Sequence, residues 1–270
     1  MTGPDRTQIA FADRRLPGAH GTMFAKEWIP GPPADAGRAP IVLLHDSLGS
    51  VELWRDFPAR LAQATSRRII AYDRLGFGKS EPHPGSLAAD FIRAESANAF
   101  ADVIRHFALE RFHLFGHSVG AGMAVECAAA FPNACLGLVT ESAQAFIEDR
   151  TLAGIRAAKV NFARSGQVER LRKYHGGKAD WVLRAWTDTW LRDDFRFWTL
   201  DAALAQVRCP SLVLHGELDE FGTSRHAHRI SQLSAGPSRV EILLQCGHVP
   251  HREREGDVLA LVRAFLDRVP

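Results

Sequence analysis

The stretch Phe112-His113-Leu114-Phe115-Gly116-His117-Ser118-Val119-Gly120-Ala121-Gly122-Met123-Ala124 hands an apolar, strand-like run over to a helical, alanine-rich one, with Gly116-His117-Ser118-Val119-Gly120 at the joint. A serine at such a strand-to-helix turn must take up a strained backbone conformation, and small flanking residues let the helix and neighbouring strands close on it. The Gly-x-Ser-x-Gly spacing also occurs by chance. Its place at this junction is what makes Ser118 the expected nucleophile.

Outward from the joint, near-continuous apolar runs at 41–45, 68–73, 112–116 and 136–140 read as strands covered on both faces, and 211–216 and 240–244 continue the series. Residues 52–64, 90–108 and 120–130 carry apolar positions at helical spacing. Strand and helix in alternation predict an α/β fold, a mostly parallel sheet flanked by helices. The head of the chain, 8–12 and 22–28, reads as a strand pair forming an antiparallel edge, followed by a turn-rich connector at 31–37. Between 144 and 206 the strand rhythm stops, and Trp181, Trp186, Trp190 and Trp198 gather in a helical pattern. This segment is read as an inserted helical lid, leaving 1–143 and 207–270 as the core, and an amphipathic helix over 258–269 closes the chain.

A serine hydroxyl is a poor nucleophile at neutral pH and needs a base, which in turn needs a group to fix its tautomer. Of the 12 histidines, His248 in Gln245-Cys246-Gly247-His248-Val249-Pro250 follows the last strand, on a loop at the edge where Ser118 emerges. His251 is the second choice. His117 is expected to point away from the nucleophile, His113, His215 and His106 to be satisfied locally, and His45 to brace its loop. For the acid, Asp219 follows the penultimate strand in Gly216-Glu217-Leu218-Asp219-Glu220, giving the chain order Ser, Asp, His. Glu217 and Glu220 read as solvated charges, and Glu141, just past the strand after the nucleophile helix, is the alternative acid. The oxyanion needs backbone donors: Val119 N–H is one, and Ser47, through its N–H and its hydroxyl, is the other, from His45-Asp46-Ser47-Leu48-Gly49-Ser50.

A composition of 46% hydrophobic and 24% charged residues suits a soluble globular protein with a real core. The formal charge of +2 is small and its basic residues are interspersed with acidic ones, which argues against nucleic acid as a partner. Residues 1–5 lack the basic-then-apolar opening of a secretory leader, and no apolar run is long enough to cross a bilayer, so no membrane association and a cytoplasmic location are expected. Cys127, Cys135, Cys209 and Cys246 are scattered and read as buried, reduced thiols.

These residues resemble the α/β-hydrolase superfamily, serine-nucleophile branch, over nearly the whole chain. Leu43-Leu44-His45 with Leu48-Gly49 resembles its oxyanion loop, the segment from Asp73 to Ser80 its Asp-x-Arg-x-Gly-x-Gly-x-Ser motif, and Gly247-His248-Val249-Pro250-His251-Arg252-Glu253 its histidine loop. Ser118 stands where haloalkane dehalogenases and epoxide hydrolases carry an aspartate. Ser47-Leu48-Gly49 with Leu53-Trp54 resembles the enol-lactonase type, whose substrates are small carboxylate-bearing lactones. Carbon-carbon hydrolases usually show Gly-Asn-Ser at the elbow and a tryptophan after the histidine, where this chain has His117 and Val249. Asp46 departs from the glycine common after the loop histidine.

The resemblance implies the α/β-hydrolase fold and a carboxylic ester hydrolase acting on a small-molecule ester or lactone with no metal or organic cofactor; a homodimer is left open. Carbon-carbon cleavage, thioester hydrolysis and perhydrolysis on the same triad are the enzymatic alternatives, and a ligand-binding receptor or pseudoenzyme the non-enzymatic one. Trp186 and Trp190, a helical turn apart, are the expected substrate-binding residues, with packing of the lid as the competing role. The basic residues between Arg156 and Arg184 read mainly as a solvated face, and one Arg turned inward would select a carboxylate.

Overall fold

The alternating runs become an eight-stranded sheet in the computed structural model, which describes residues 9–31, 37–164 and 166–269. Gln8, the first residue of the expected leading strand, the opening residues 1–5 and most of the turn-rich connector lie outside the described residues. The strands are β1 (Ala10–Gly18), β2 (Gly21–Ile29), β3 (Ile41–Leu44), β4 (Ile69–Asp73), β5 (Phe112–His117), β6 (Cys135–Glu141), β7 (Ser211–Gly216) and β8 (Ser238–Leu243). Their spatial order is β1-β2-β4-β3-β5-β6-β7-β8. From β4 to β8 every pairing is parallel, while β1 and β2 form the expected antiparallel edge. β1 runs further than the expected 8–12 because only Leu16 of its side chains is buried, so its polar middle carries no apolar alternation.

Helices α1 (Phe57–Thr65), α2 (Phe91–Ala94), α3 (Ala99–Phe107) and α4 (Val119–Ala130) intervene up to β6. Between β6 and β7 come α5 (Asp149–Phe162), α6 (Gln167–His175), α7 (Ala179–Trp190) and α8 (Asp201–Leu204), and α9 (Arg225–Leu233), α10 (Pro250–Glu253) and α11 (Glu255–Leu266) complete the chain. Two expected helices are broken. Residues 52–64 become a short 3-10 turn and α1, separated at Arg55 with φ +54°. The 90–108 stretch splits where Asn98 leaves helical geometry, and the break lets buried Glu95 accept a 2.5 Å bond from Tyr72 Oη.

The burial pattern explains the layering. Strand side chains alternate between faces, so Val42, Leu44, Phe112 and Leu114 pack with α3, α4 and α9, while Ile41, Leu43 and Phe115 pack with α1 and α11. The helical segment between β6 and β7 begins and ends side by side, where Phe146 bridges Thr199 and Leu200 N–H donates to Ala145 O. Among the described residues no helix is long and apolar enough to cross a membrane.

The chain runs from β3 out to β4 and then returns to lay β5 on the other side of β3. This reversal opens a crevice beyond the carboxyl ends of β3 and β5, the place where open α/β sheets bind ligands. Leu44 pairs with Gly116 in register, so the loop after β3 and the turn after β5 emerge side by side.

Candidate active site

Ser118 occupies the turn between β5 and α4 with φ +55° and ψ −123°, a conformation costly for any residue with a Cβ. What holds it there is close packing. A Cβ on Gly116 would collide with the backbone of Gly120 and Ala121, and one on Gly120 with the carbonyls of Leu44 and His45. Only glycine at both positions lets α4 and β3 approach this turn. Ser118 N–H donates to Glu141 O at 2.8 Å, and Ala121 N–H donates back to Ser118 O at 2.9 Å.

His248 reaches the serine from the loop after β8. Its Nε2 lies 3.0 Å from Ser118 Oγ, and its Nδ1 lies 2.9 Å from both oxygens of Asp219. Three side chains distant in sequence thus form one hydrogen-bonded line. Burial disfavours the imidazolium of His248, yet the bond to Asp219 and its charge outweigh that and raise the ring above its ordinary range. Asp219 is fully buried, and although burial opposes its charge, the bond and the charge of His248 hold it below the usual carboxylate range. Phe221 N–H donates to Asp219 Oδ1 at 2.8 Å, fixing the carboxylate's orientation. Glu253 accepts from Gly247 N–H at 2.6 Å and Val249 N–H at 3.0 Å, holding the backbone on each side of His248. Sequence reading missed this role of Glu253, although its place in the histidine-loop motif was the available signal.

Opposite the serine, Val119 begins α4, so its N–H has no acceptor within the helix. Ser47 is in the middle of a turn closed by Gly49 N–H to Asp46 O at 3.2 Å. Arg74 Nη2 and His45 Nδ1 also hold Asp46 O, each at 2.8 Å, so His45 does brace its loop. Ser47 and Val119 share the wall of one cavity.

Residues 41–261, most of the chain and all of this geometry, match the family model described as Alpha/beta hydrolase family. The chain belongs to the alpha/beta hydrolase family. It is 27% identical to Serine hydrolase BPHL of Mus musculus over 242 residues, 85% of this chain and 80% of that one. It is 24% identical to the proline iminopeptidase of Lactobacillus helveticus over 276 residues, 86% and 90% of the two chains. A solved bacterial membrane phospholipase A superposes with a TM-score of 0.75 at 19% identity, over 95% of this chain and 86% of that one, a likeness of fold.

In this alpha/beta hydrolase the alternative acid and base do not join the line. Glu141 Oε2 instead bonds His251 Nδ1 at 2.6 Å, below the serine turn. His117 has a partner that sequence reading did not foresee: its Nε2–H donates to His248 O at 2.8 Å. His117, Glu141 and His251 are all buried, and they alone among the described residues bring three such ligand atoms within 4.8 Å of one another. Two of their ring nitrogens are already committed to hydrogen bonds, so the group is built as a hydrogen-bonded layer. Burial pushes His117 down to about 4, which leaves it neutral.

The other histidines correct the expectation of local satisfaction. Both ring nitrogens of His113 are buried without a partner, and burial, with the charges of Arg67 and Arg111, lowers the ring to about 3. His215 donates through Nε2 to Gly222 O at 3.2 Å but leaves Nδ1 unpaired, and His106 is exposed at the end of α3. Glu217 and Glu220 are exposed as expected, Glu217 accepting from Gln245 N–H.

The cavity has a volume of about 270 Å³ and is walled mainly by apolar side chains, with Trp186 and Trp190 from α7 among them. Trp190 is at the same time packed edge-on against Phe195 and Trp198, so it lines the cavity and fixes the insertion together. None of the basic residues between Arg156 and Arg184 reaches the wall; among the described residues the one Arg that does is Arg74, with Glu95 and Asp102 as the acidic wall residues. Most of them are exposed, the solvated face expected of them; Lys159 pairs with Asp188 and Arg172 with Asp180, while Lys178 reaches Gly78 O of the core.

Proposed function

We propose that this alpha/beta hydrolase is a serine hydrolase cleaving a small carboxylic ester or lactone through an acyl-enzyme on Ser118. The single observation that carries the reading is the line from Ser118 Oγ through both nitrogens of His248 to Asp219. Ser118 attacks the carbonyl while His248 Nε2 takes its proton, and Asp219 holds the ring's tautomer and stabilises the imidazolium. The N–H groups of Val119 and Ser47 receive the oxyanion, and His248 returns its proton to the leaving oxygen. Water, deprotonated by the same ring, then releases the acid.

The cavity supports the substrate class: about 270 Å³ bounded by Met123, Leu75, Phe77, Trp186 and Trp190 suits a compact apolar acyl or alcohol group. In this reading Trp186 and Trp190 are substrate-binding, and residues 144–206 form the lid over the crevice. Four cysteines, all free and buried, agree with a cytoplasmic location.

The test is a panel of p-nitrophenyl esters, small lactones, acyl thioesters, a ring-cleavage diketone and a prolyl anilide, run beside fluorophosphonate labelling. The expected result is turnover of short esters or lactones with an acyl burst, and labelling abolished in Ser118→Ala. Preferred cleavage of the diketone or the anilide would replace the proposed substrate, and binding without any turnover would make the protein a receptor.

A further inference from the structure

His175, the last residue of α6, is nearly inaccessible and belongs to the helical insertion, yet both its ring nitrogens bond the core. Nδ1 accepts from Gly78 N–H at 2.9 Å, and Nε2–H donates to Leu48 O at 3.0 Å. Only the neutral ring with its proton on Nε2 makes both bonds, since Gly78 brings a donor and Leu48 an acceptor. Burial opposes protonation, as do Lys178 and Arg74, while the Leu48 bond and Asp46 favour it; the net displacement is downward. Phe77 packs edge-on against the ring at 6.1 Å and completes its surroundings.

Leu48 follows Ser47 in the turn that supplies the second oxyanion donor. The Asp46 carbonyl, in the same peptide unit as Ser47 N–H, is held by Arg74 and His45 of the core, and the Leu48 carbonyl, two peptide units further along the turn, is held by His175. One flank of the turn is therefore anchored by the sheet domain and the other by the insertion. Oxyanion donors act only when aimed at the final position of the oxygen, so a turn free to tilt on one side loses transition-state binding before it loses substrate.

We infer that His175 is the positioning residue through which the helical insertion fixes the Ser47 turn for acyl transfer. The inference rests on the proposed acyl-enzyme chemistry and adds a coupling between insertion and oxyanion site. His175 touches no reacting atom; it acts through Leu48. The second contact nearby, Lys178 Nζ to Gly78 O at 2.9 Å, docks the insertion on the 73–80 loop without reaching the turn.

Two substitutions divide the ring's two bonds. His175→Asn places an oxygen where Nδ1 stands and keeps Gly78, but is too short to reach Leu48. His175→Gln carries an amide N–H to the position of Nε2 and keeps Leu48. With the best short ester from the panel, His175→Asn is expected to lower kcat about tenfold, part of the ~10²- to 10³-fold loss for removing a whole oxyanion donor, with KM within about threefold. The affinity for a boronic acid transition-state mimic falls in parallel, and His175→Gln recovers most of both. Equal losses in the two variants, or a loss of KM or thermal stability alone, would assign His175 to docking and overturn the inference. Ser118→Ala separates the two levels: turnover that survives it removes the acyl-enzyme reading itself, whereas an inactive Ser118→Ala beside a fully active His175→Asn removes only this coupling.

Discussion

Glu141 Oε2 lies 2.6 Å from Nδ1 of His251, so the residues that rank second as acid and as base in the sequence are each other's partner, one layer beneath Ser118. Both are buried, and burial moves them in opposite directions, pushing the carboxyl up to about 7 and the ring down to about 3. Between its ordinary 4.5 and about 7, Glu141 in the folded chain holds a proton that the unfolded chain has lost. Its contribution to stability therefore falls as pH rises through that window. His251 works the other way: between about 3 and 6.5 the unfolded chain binds the proton, so its contribution rises with pH.

Glu141→Gln keeps the side chain's shape and an acceptor for His251 while removing the ionisation. Going from pH 5 to pH 8, the variant is expected to gain about 1–3 kcal/mol relative to the parent, read from urea unfolding at both pH values. Its kcat is expected to stay within about threefold, because Glu141 has no bond to the His248 ring. A stability difference independent of pH, or a loss of kcat as large as that from changing Asp219, would show that the carboxyl does other work.

The proposed base, His248, gives a pH dependence of rate. In the proposed mechanism His248 must be neutral to accept the serine proton, and Asp219 raises the ring above its ordinary 6.5, so kcat/KM is expected to climb as pH rises through a value above 6.5. The ion pair's stabilisation is complete below 6.5 and is lost as pH rises through the raised value. Asp219→Asn is expected to lower kcat by about 10³- to 10⁴-fold, the loss typical of a triad whose base takes the wrong tautomer, and to move the acid limb to lower pH. A pH–rate profile with the limb unmoved would mean that Asp219 is not what raises the ring.

The parts of this molecule that were readable in advance share a cause. Strands β3 to β7 are buried on both faces, so their runs are apolar without interruption, and Gly116 and Gly120 are demanded by contacts too close for any Cβ. Ser118 and Asp219 follow such strands and His248 follows the half-buried β8, where position narrows the choice. What was hidden depends on who meets whom across the fold. His175 has no motif around it, and its two partners lie 97 and 127 residues away. The polar edge strand β1 carries no alternation from which its length could be read.

Glu253 is expected to show how far the histidine loop depends on one carboxylate. It receives the N–H groups of Gly247 and Val249, which flank the base, and a charged acceptor makes each bond worth about 1.5–3 kcal/mol. Glu253→Gln turns one acceptor into a donor facing a donor. A fall in kcat of about tenfold with KM little changed is anticipated, together with a lower melting temperature. Retention of full kcat despite that lower temperature would confine Glu253 to stability.

Trp186 links the cavity to the base through packing. It forms part of the cavity wall and meets Phe221 edge-on at 5.7 Å, and Phe221 meets the His248 ring at 4.8 Å. Trp186→Ala therefore enlarges the cavity at the part of its wall that packs on Phe221. A methylene that fills or leaves an apolar pocket changes discrimination by about 1–3 kcal/mol, so the variant should prefer p-nitrophenyl esters with acyl chains two or more carbons longer. The kcat/KM for the parent's best ester should fall about tenfold or more, because the space left beside a short chain forfeits contacts. Trp190 serves as the comparison. Being buried against Phe195 and Trp198, its replacement by Ala opens a core void and should lower the melting temperature as well as change the chain-length profile. A chain-length optimum that stays in place in Trp186→Ala would mean that the acyl group binds elsewhere on the cavity wall.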